Sequence, residues 1–140
     1  MRKVTHLVVH CTATAQSARV ESIQKYWRDH LGWKSLGYHV IVPVDGVPVR
    51  LASDEQVCNG VAGHNSTSLH VSYIGGVGAD GKTASDTRTP AQKRAILDTL
   101  KAWRAKYPNA VIQGHRDFPG VSKACPSFDA RSEYARLLPV

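Results

Sequence analysis

No apolar run in this sequence approaches the roughly 20 residues that a helix needs to cross a bilayer, so membrane insertion is not expected. A secretory leader is not expected either. Met1-Arg2-Lys3 is basic, but the apolar stretch after it is only a few residues long and is interrupted by His6 and His10. It reads as a first strand rather than the apolar core of a signal peptide, and synthesis is expected in the cytoplasm. Cysteine is scarce and odd in number: Cys11, Cys58 and Cys125 cannot all pair within one chain. Free thiols or a metal ligand are expected, not a disulfide framework. Acidic residues are also few, 11 against 18 Lys and Arg, for a net charge of +7. That balance calls for an acidic or polyanionic partner. The basic residues are scattered instead of clustered, so specific nucleic-acid binding is not expected.

What is present fits one compact α/β domain over residues 1–140, long enough to bury a core without disulfides. Val4–Val9 is rich in β-branched residues and reads as a buried strand ending at His10. Val20, Ile23, Trp27 and Leu31 recur at helical spacing, with Gly32 as the stop. Tyr38–Val44 is strand-like, Asp45-Gly46 is a hairpin turn signal, and Val47–Leu51 returns, with Pro48 marking an edge. Ala52–Ser68 reads as a long surface loop, Val71–Gly76 as a third main strand, and Gly78–Asp86 as a polar loop. Thr89-Pro90-Ala91-Gln92 is a capping box with proline at the first helical position, opening a helix that buries Ile96, Leu100 and Trp103. Ala110–Gln113 is a short strand, Gly114–Ala124 a loop, and Asp129 caps a last helix expected to run through Leu138. Strands alternating with helices predict a mixed central β-sheet flanked by helices.

Two histidines stand out by position. His10 and His115 each follow a short apolar strand, and in open α/β sheets ligands bind beyond the carboxyl ends of the strands. If those strands run parallel, both imidazoles share one rim, and Cys125 lies in a loop able to fold back over it. Two imidazoles and a thiolate would leave a tetrahedral zinc ion one open position, as catalysis requires. From spacing alone, a rim histidine and a small buried cysteine remain an equal alternative, since seven histidines offer many chance triples.

The surrounding residues carry more. Val8-Val9-His10-Cys11-Thr12-Ala13-Thr14, Gly37-Tyr38-His39, Gly114-His115-Arg116-Asp117-Phe118 and Lys123-Ala124-Cys125-Pro126-Ser127-Phe128-Asp129 occur in that order. Together they resemble the type-2 N-acetylmuramoyl-L-alanine amidase family, which includes phage lysozyme-amidases and peptidoglycan recognition proteins, and most closely its small phage members. The resemblance runs from near the N-terminus to residue 129. It implies a Zn2+ cofactor on His10, His115 and Cys125, with catalysis supported by Tyr38 and Lys123. It also implies hydrolysis of the amide between N-acetylmuramic acid and L-alanine in peptidoglycan, on the cell wall after export or lysis; a monomer is the default expectation for so small an enzyme. By the same resemblance, His64 and Asn65 border the substrate groove, although an exposed loop pair is an equal reading of the residues.

The residue types suit that chemistry. Zinc activates a water and polarises an amide carbonyl. Lys123 would add a cation beside the oxyanion, and the Tyr38 phenol a hydrogen bond to the water or the leaving nitrogen. Many members of the wider superfamily carry a general-base glutamate on the central strand. Leu69-His70-Val71-Ser72-Tyr73-Ile74-Gly75-Gly76 has no carboxylate, as in the phage branch, which shifts proton handling to Tyr38, Lys123 or the activated water. His70 stands where the family usually has glycine. Asp117 is expected either to accept a ring proton from a ligand histidine or to cap the following turn. Two competing functions stay open. A peptidoglycan-binding recognition module would hold the muropeptide without cutting it. A basic zinc protein would need a closed site, with His6 or His39 as the fourth ligand.

Overall fold

The computed structural model describes residues 2–33 and 36–135. Five strands form one sheet: β1 (His6–Cys11), β2 (Val40–Val42), β3 (Val49–Arg50), β4 (Ser68–Tyr73) and β5 (Val111–Gly114). Their order is β3-β2-β4-β1-β5, with every neighbour parallel except the antiparallel β2–β3 hairpin. The helices are α1 (Val20–Asp29), α2 (Pro90–Lys106) and α3 (Ala130–Glu133). The expected mixed sheet flanked by helices is therefore present, and β1 and β5 do run parallel.

Register sorts the side chains by face. Val8 stands opposite His70, and His10 opposite Ser72, so these four residues share one side of the sheet. Their neighbours Leu7, Val9, Leu69 and Val71 point the other way, into the main core with Ile96, Leu100 and Trp103 of α2. Burying each such aliphatic side chain contributes about 1.5–3 kcal/mol, which is what seats α2 on that face. On the functional side, Ile23 and Trp27 of α1 pack at i, i+4 spacing against Ile41 and Ile74.

Local signals place most element ends. Thr89 Oγ1 accepts the backbone N–H of Gln92 at 3.1 Å, and Gln92 Oε1 accepts that of Thr89 at 2.9 Å, closing the expected capping box. Asp129 Oδ1 accepts from Ser132 N at 3.2 Å and caps α3. The expected extension of that helix to Leu138 runs beyond the described residues.

Several boundaries differ from the sequence reading. β1 runs on through Cys11, so His10 lies inside the strand rather than just past it. β4 begins at Ser68, three residues before the apolar signal, because buried Ser68 and His70 find partners: Ser68 Oγ donates to His64 O at 2.7 Å, and His70 Nε2 lies 3.1 Å from Asn65 Oδ1. Of Tyr38–Val44, only Val40–Val42 pairs as a strand.

Candidate metal centre and substrate groove

Because β1 and β5 are parallel neighbours, their carboxyl ends bring His10 and His115 together, with ring centroids 5.0 Å apart. Cys125 returns to them through its own loop. Arg116 N donates to Cys125 O at 2.8 Å, and Tyr73 Oη donates to Pro126 O at 2.7 Å, pinning the loop to the strand ends. Gly114 permits this close approach, since a Cβ there would meet Pro126 Cδ at 2.6 Å. The Cys11 N–H donates to Cys125 Sγ at 3.2 Å.

One donor atom each from His10, His115 and Cys125 lie within 4.8 Å of one another. Cys125 Sγ stands 3.8 Å from His10 Nδ1, against about 3.6 Å for two such donors on a tetrahedral zinc ion. The donor set and its spacing fit a divalent metal. Among the described residues no further His, Cys, Asp or Glu joins the group, which leaves a coordination position open. The two alternative ligands are occupied elsewhere. His39 Nε2 donates to Gln56 O at 2.7 Å, and His6 Nδ1 lies 2.9 Å from Thr5 Oγ1.

Electrostatics keep the two imidazoles ready to ligate. Burial, reinforced by His70 and His115, holds His10 well below the usual histidine range, so its imidazole is neutral. His115 is lowered by burial and by Lys123. Hydrogen bonding with Cys11, together with burial, pushes the Cys125 thiol well above its ordinary value, while hydrogen bonding from Cys125 draws Cys11 down to about 7. A cation at the cluster would reverse the position of Cys125, because a coordinating thiol loses its proton outright.

The cluster lies in the floor of a groove of about 1000 Å³. One wall is α1 with Ile23, Tyr26 and Trp27, and the opposite side is formed by residues 59–62 and 119–123. Among the described residues, Lys123 is the single Lys or Arg on this lining, and no carboxylate appears there. Tyr38 also lines it, its ring centroid 5.0 Å from that of His10 and its Oη donating to Cys11 O at 3.4 Å. Burial, then the nearby Cys125, raises the phenol far above the usual tyrosine range, so it stays protonated and acts as a donor.

Other sequence candidates lie elsewhere. His64 packs on Phe118 with ring centroids 4.7 Å apart, outside the groove lining. Asn65 faces inward, its Oδ1 accepting from Val61 N at 2.7 Å, and the groove wall is formed by the preceding residues 59–62. Asp117 accepts from Gly114 N at 2.8 Å, so it caps the turn after β5 rather than orienting an imidazole. Cys11 is buried in the main core. Cys58 is buried and its thiol is pushed up to about 11 by burial. His70 is the residue that sequence reasoning left without a role. It is fully buried directly behind His10, with His10 Nε2 2.9 Å from His70 Nδ1. Its signal was a histidine between the apolar residues Leu69 and Val71 of a buried strand.

Fold and site together define an α/β domain with a three-donor cluster that could hold a metal ion at the floor of an open groove. The chain belongs to the N-acetylmuramoyl-L-alanine amidase family, whose model matches residues 1–128, and it is an enzyme of that family. It is 36% identical over 129 residues to an endolysin of Enterobacteria phage K11, covering 91% of this chain and 83% of that protein. The fold is shared with the Ph2119 endolysin from a Thermus scotoductus bacteriophage (TM-score 0.79, 23% identity, covering 100% of this chain and 88% of that one). It is also shared with Drosophila PGRP-LB (TM-score 0.75, 14% identity, covering 96% of this chain and 81% of that one).

Proposed function

We propose that this amidase is zinc-dependent and endolysin-like, hydrolysing the amide between N-acetylmuramic acid and L-alanine in bacterial peptidoglycan. The observation that carries this reading is the His10–His115–Cys125 donor cluster, open on one side to the groove. Zinc held by these residues supplies Lewis-acid polarisation of the scissile carbonyl and activation of the attacking water. The protein's own side chains do the rest. Lys123 brings its ammonium to the groove, where it stabilises negative charge developing on the carbonyl oxygen. Tyr38, kept protonated by burial, donates a hydrogen bond at the same end of the groove. No carboxylate lines the groove among the described residues, so the general-base glutamate of other superfamily members has no counterpart here. The aromatic wall of Tyr26, Trp27 and Trp33 suits the apolar faces of sugar rings, and the net charge of +7 favours adsorption to an anionic wall.

The test is release of free N-terminal alanine from purified peptidoglycan, with and without a chelator. Release should stop on chelation, return with added zinc, and be absent in Cys125→Ser. Tight binding to peptidoglycan with no release from the zinc-loaded protein would mark a recognition module instead.

A further inference from the structure

The second face of His10 leads away from the metal cluster through a chain of hydrogen bonds whose direction can be read link by link. Asn65 Oδ1 accepts the backbone N–H of Val61 at 2.7 Å, which identifies that atom as the oxygen of the amide. The same oxygen lies 3.1 Å from His70 Nε2 and can only accept, so His70 carries its hydrogen on Nε2. His70 Nδ1 is then a bare acceptor. His10 Nε2 stands 2.9 Å from it, and two ring nitrogens at that distance share one hydrogen, which must belong to His10. His10 therefore presents a free lone pair on Nδ1, the atom 3.8 Å from Cys125 Sγ.

We infer that His70, oriented by Asn65, is a positioning residue of the metal centre: it locks His10 in the Nε2–H tautomer and aims Nδ1 at the cation. The inference rests on the metal reading given above and deepens it. Space confirms that the imidazole is built into this place. A Cβ on Gly60 would sit 2.3 Å from His70 Nδ1, so glycine at 60 leaves the room that the ring at 70 fills. The ring is completely buried, and its own backbone N–H is tied by donation to His39 Nδ1 at 3.1 Å. The far end of the relay is Val61, one of the residues that wall the groove, so the groove wall and the metal ligand share one hydrogen-bonded framework.

Removal of such a supporting partner typically costs 10- to 100-fold in metal affinity. Zinc affinity of the full chain, measured by competition with a chromogenic chelator, is expected to fall by that factor in His70→Phe, which keeps a ring but removes the acceptor. In His70→Gln, whose side-chain carbonyl can accept from His10, it should stay within about threefold of the parent, since the acceptor is what the relay needs. The tautomer is read directly in the unmutated protein from long-range proton–nitrogen correlations of the imidazoles, so the inference does not depend on either variant folding. Expected are His10 as Nε2–H and His70 as Nε2–H. His10 found as Nδ1–H, or a His70→Phe variant that folds and binds zinc as tightly as the parent, overturns the relay. An unmutated protein that binds no zinc overturns the metal reading itself, and the two failures are thereby distinct.

Discussion

Tyr38 and Lys123 reach the same groove with opposite constraints. The phenol is half-buried and held by Cys11 O, whereas the lysine is exposed on a loop. Their substitutions should therefore separate cleanly. Lys123→Ala removes only a charge in the groove, so turnover of a muropeptide should drop about 100- to 1000-fold with an unchanged melting temperature. Tyr38→Phe removes one weakly engaged hydroxyl, and turnover should drop about 100-fold with zinc content intact. Turnover within threefold of the parent in either variant would remove that residue from the mechanism. At this scale the gathering of His10, Tyr38, His115, Lys123 and Cys125 at one groove was legible, because each sits in a short motif whose neighbours are also specific. His64 and Asn65 were not. Which way they face is set by a single 3-10 turn, Asn65–Thr67, and no pattern of polar residues encodes that orientation.

Between the elements, two polar side chains tie α2 to the sheet and the C-terminal segment to the stretch before α2. Gln92, buried in the first turn of α2, donates to Val42 O at 3.0 Å and Ile74 O at 3.1 Å, joining the helix to β2 and to the residue beyond β4. Arg88 lies just before that helix with a nearly fully buried side chain. It pairs with Asp86 at 2.9 Å and Glu133 at 2.6 Å, and its guanidinium covers the Phe128 ring at 3.3 Å. It thus fastens α3 and the stretch after Cys125. Arg88→Met should destabilise the fold by about 2 kcal/mol in chemical denaturation, less than for a sealed ion pair because Asp86 and Glu133 are 32% and 41% exposed. A loss under 0.5 kcal/mol would show that the clamp is incidental. The elements themselves were readable where periodicity or caps act locally, as in α1, α2 and the Asp45-Gly46 hairpin. The start of β4 was hidden because buried polar residues at 68 and 70 look like loop until their partners are known.

For the whole molecule, the histidines facing the functional side make stability depend on pH. His10 and His70 are both held well below the ordinary histidine value, by burial first and then by neighbouring imidazoles. In the unfolded chain each takes up a proton near pH 6.5, while in the folded protein it does not. The unfolded state therefore binds more protons below that pH, and stability falls as pH drops, with no such loss above it. Each histidine contributes roughly 1.4 kcal/mol per pH unit below 6.5 until its folded value is reached. The metal-free protein should melt progressively lower between pH 6.5 and 5, and a flat melting temperature over that range would contradict the assignment. The α/β architecture was readable from the alternation of strands and helices. The strand order was not, because nothing local in the sequence places β1 between β4 and β5.

That central place of β1 has a consequence for the chain as a polymer. The three donors come from positions 10, 115 and 125, so an ion gripping them closes a loop over most of the sequence. Loop-closure entropy grows with the logarithm of loop length, and a cross-link of this span removes more freedom from the unfolded ensemble than a local one. Because the donors meet only when β1 lies between its partners, the ion has little to hold in the unfolded chain, and its binding energy adds to folding by mass action. With an ion bound, the cluster would also be a clasp between β1 and the Cys125 loop.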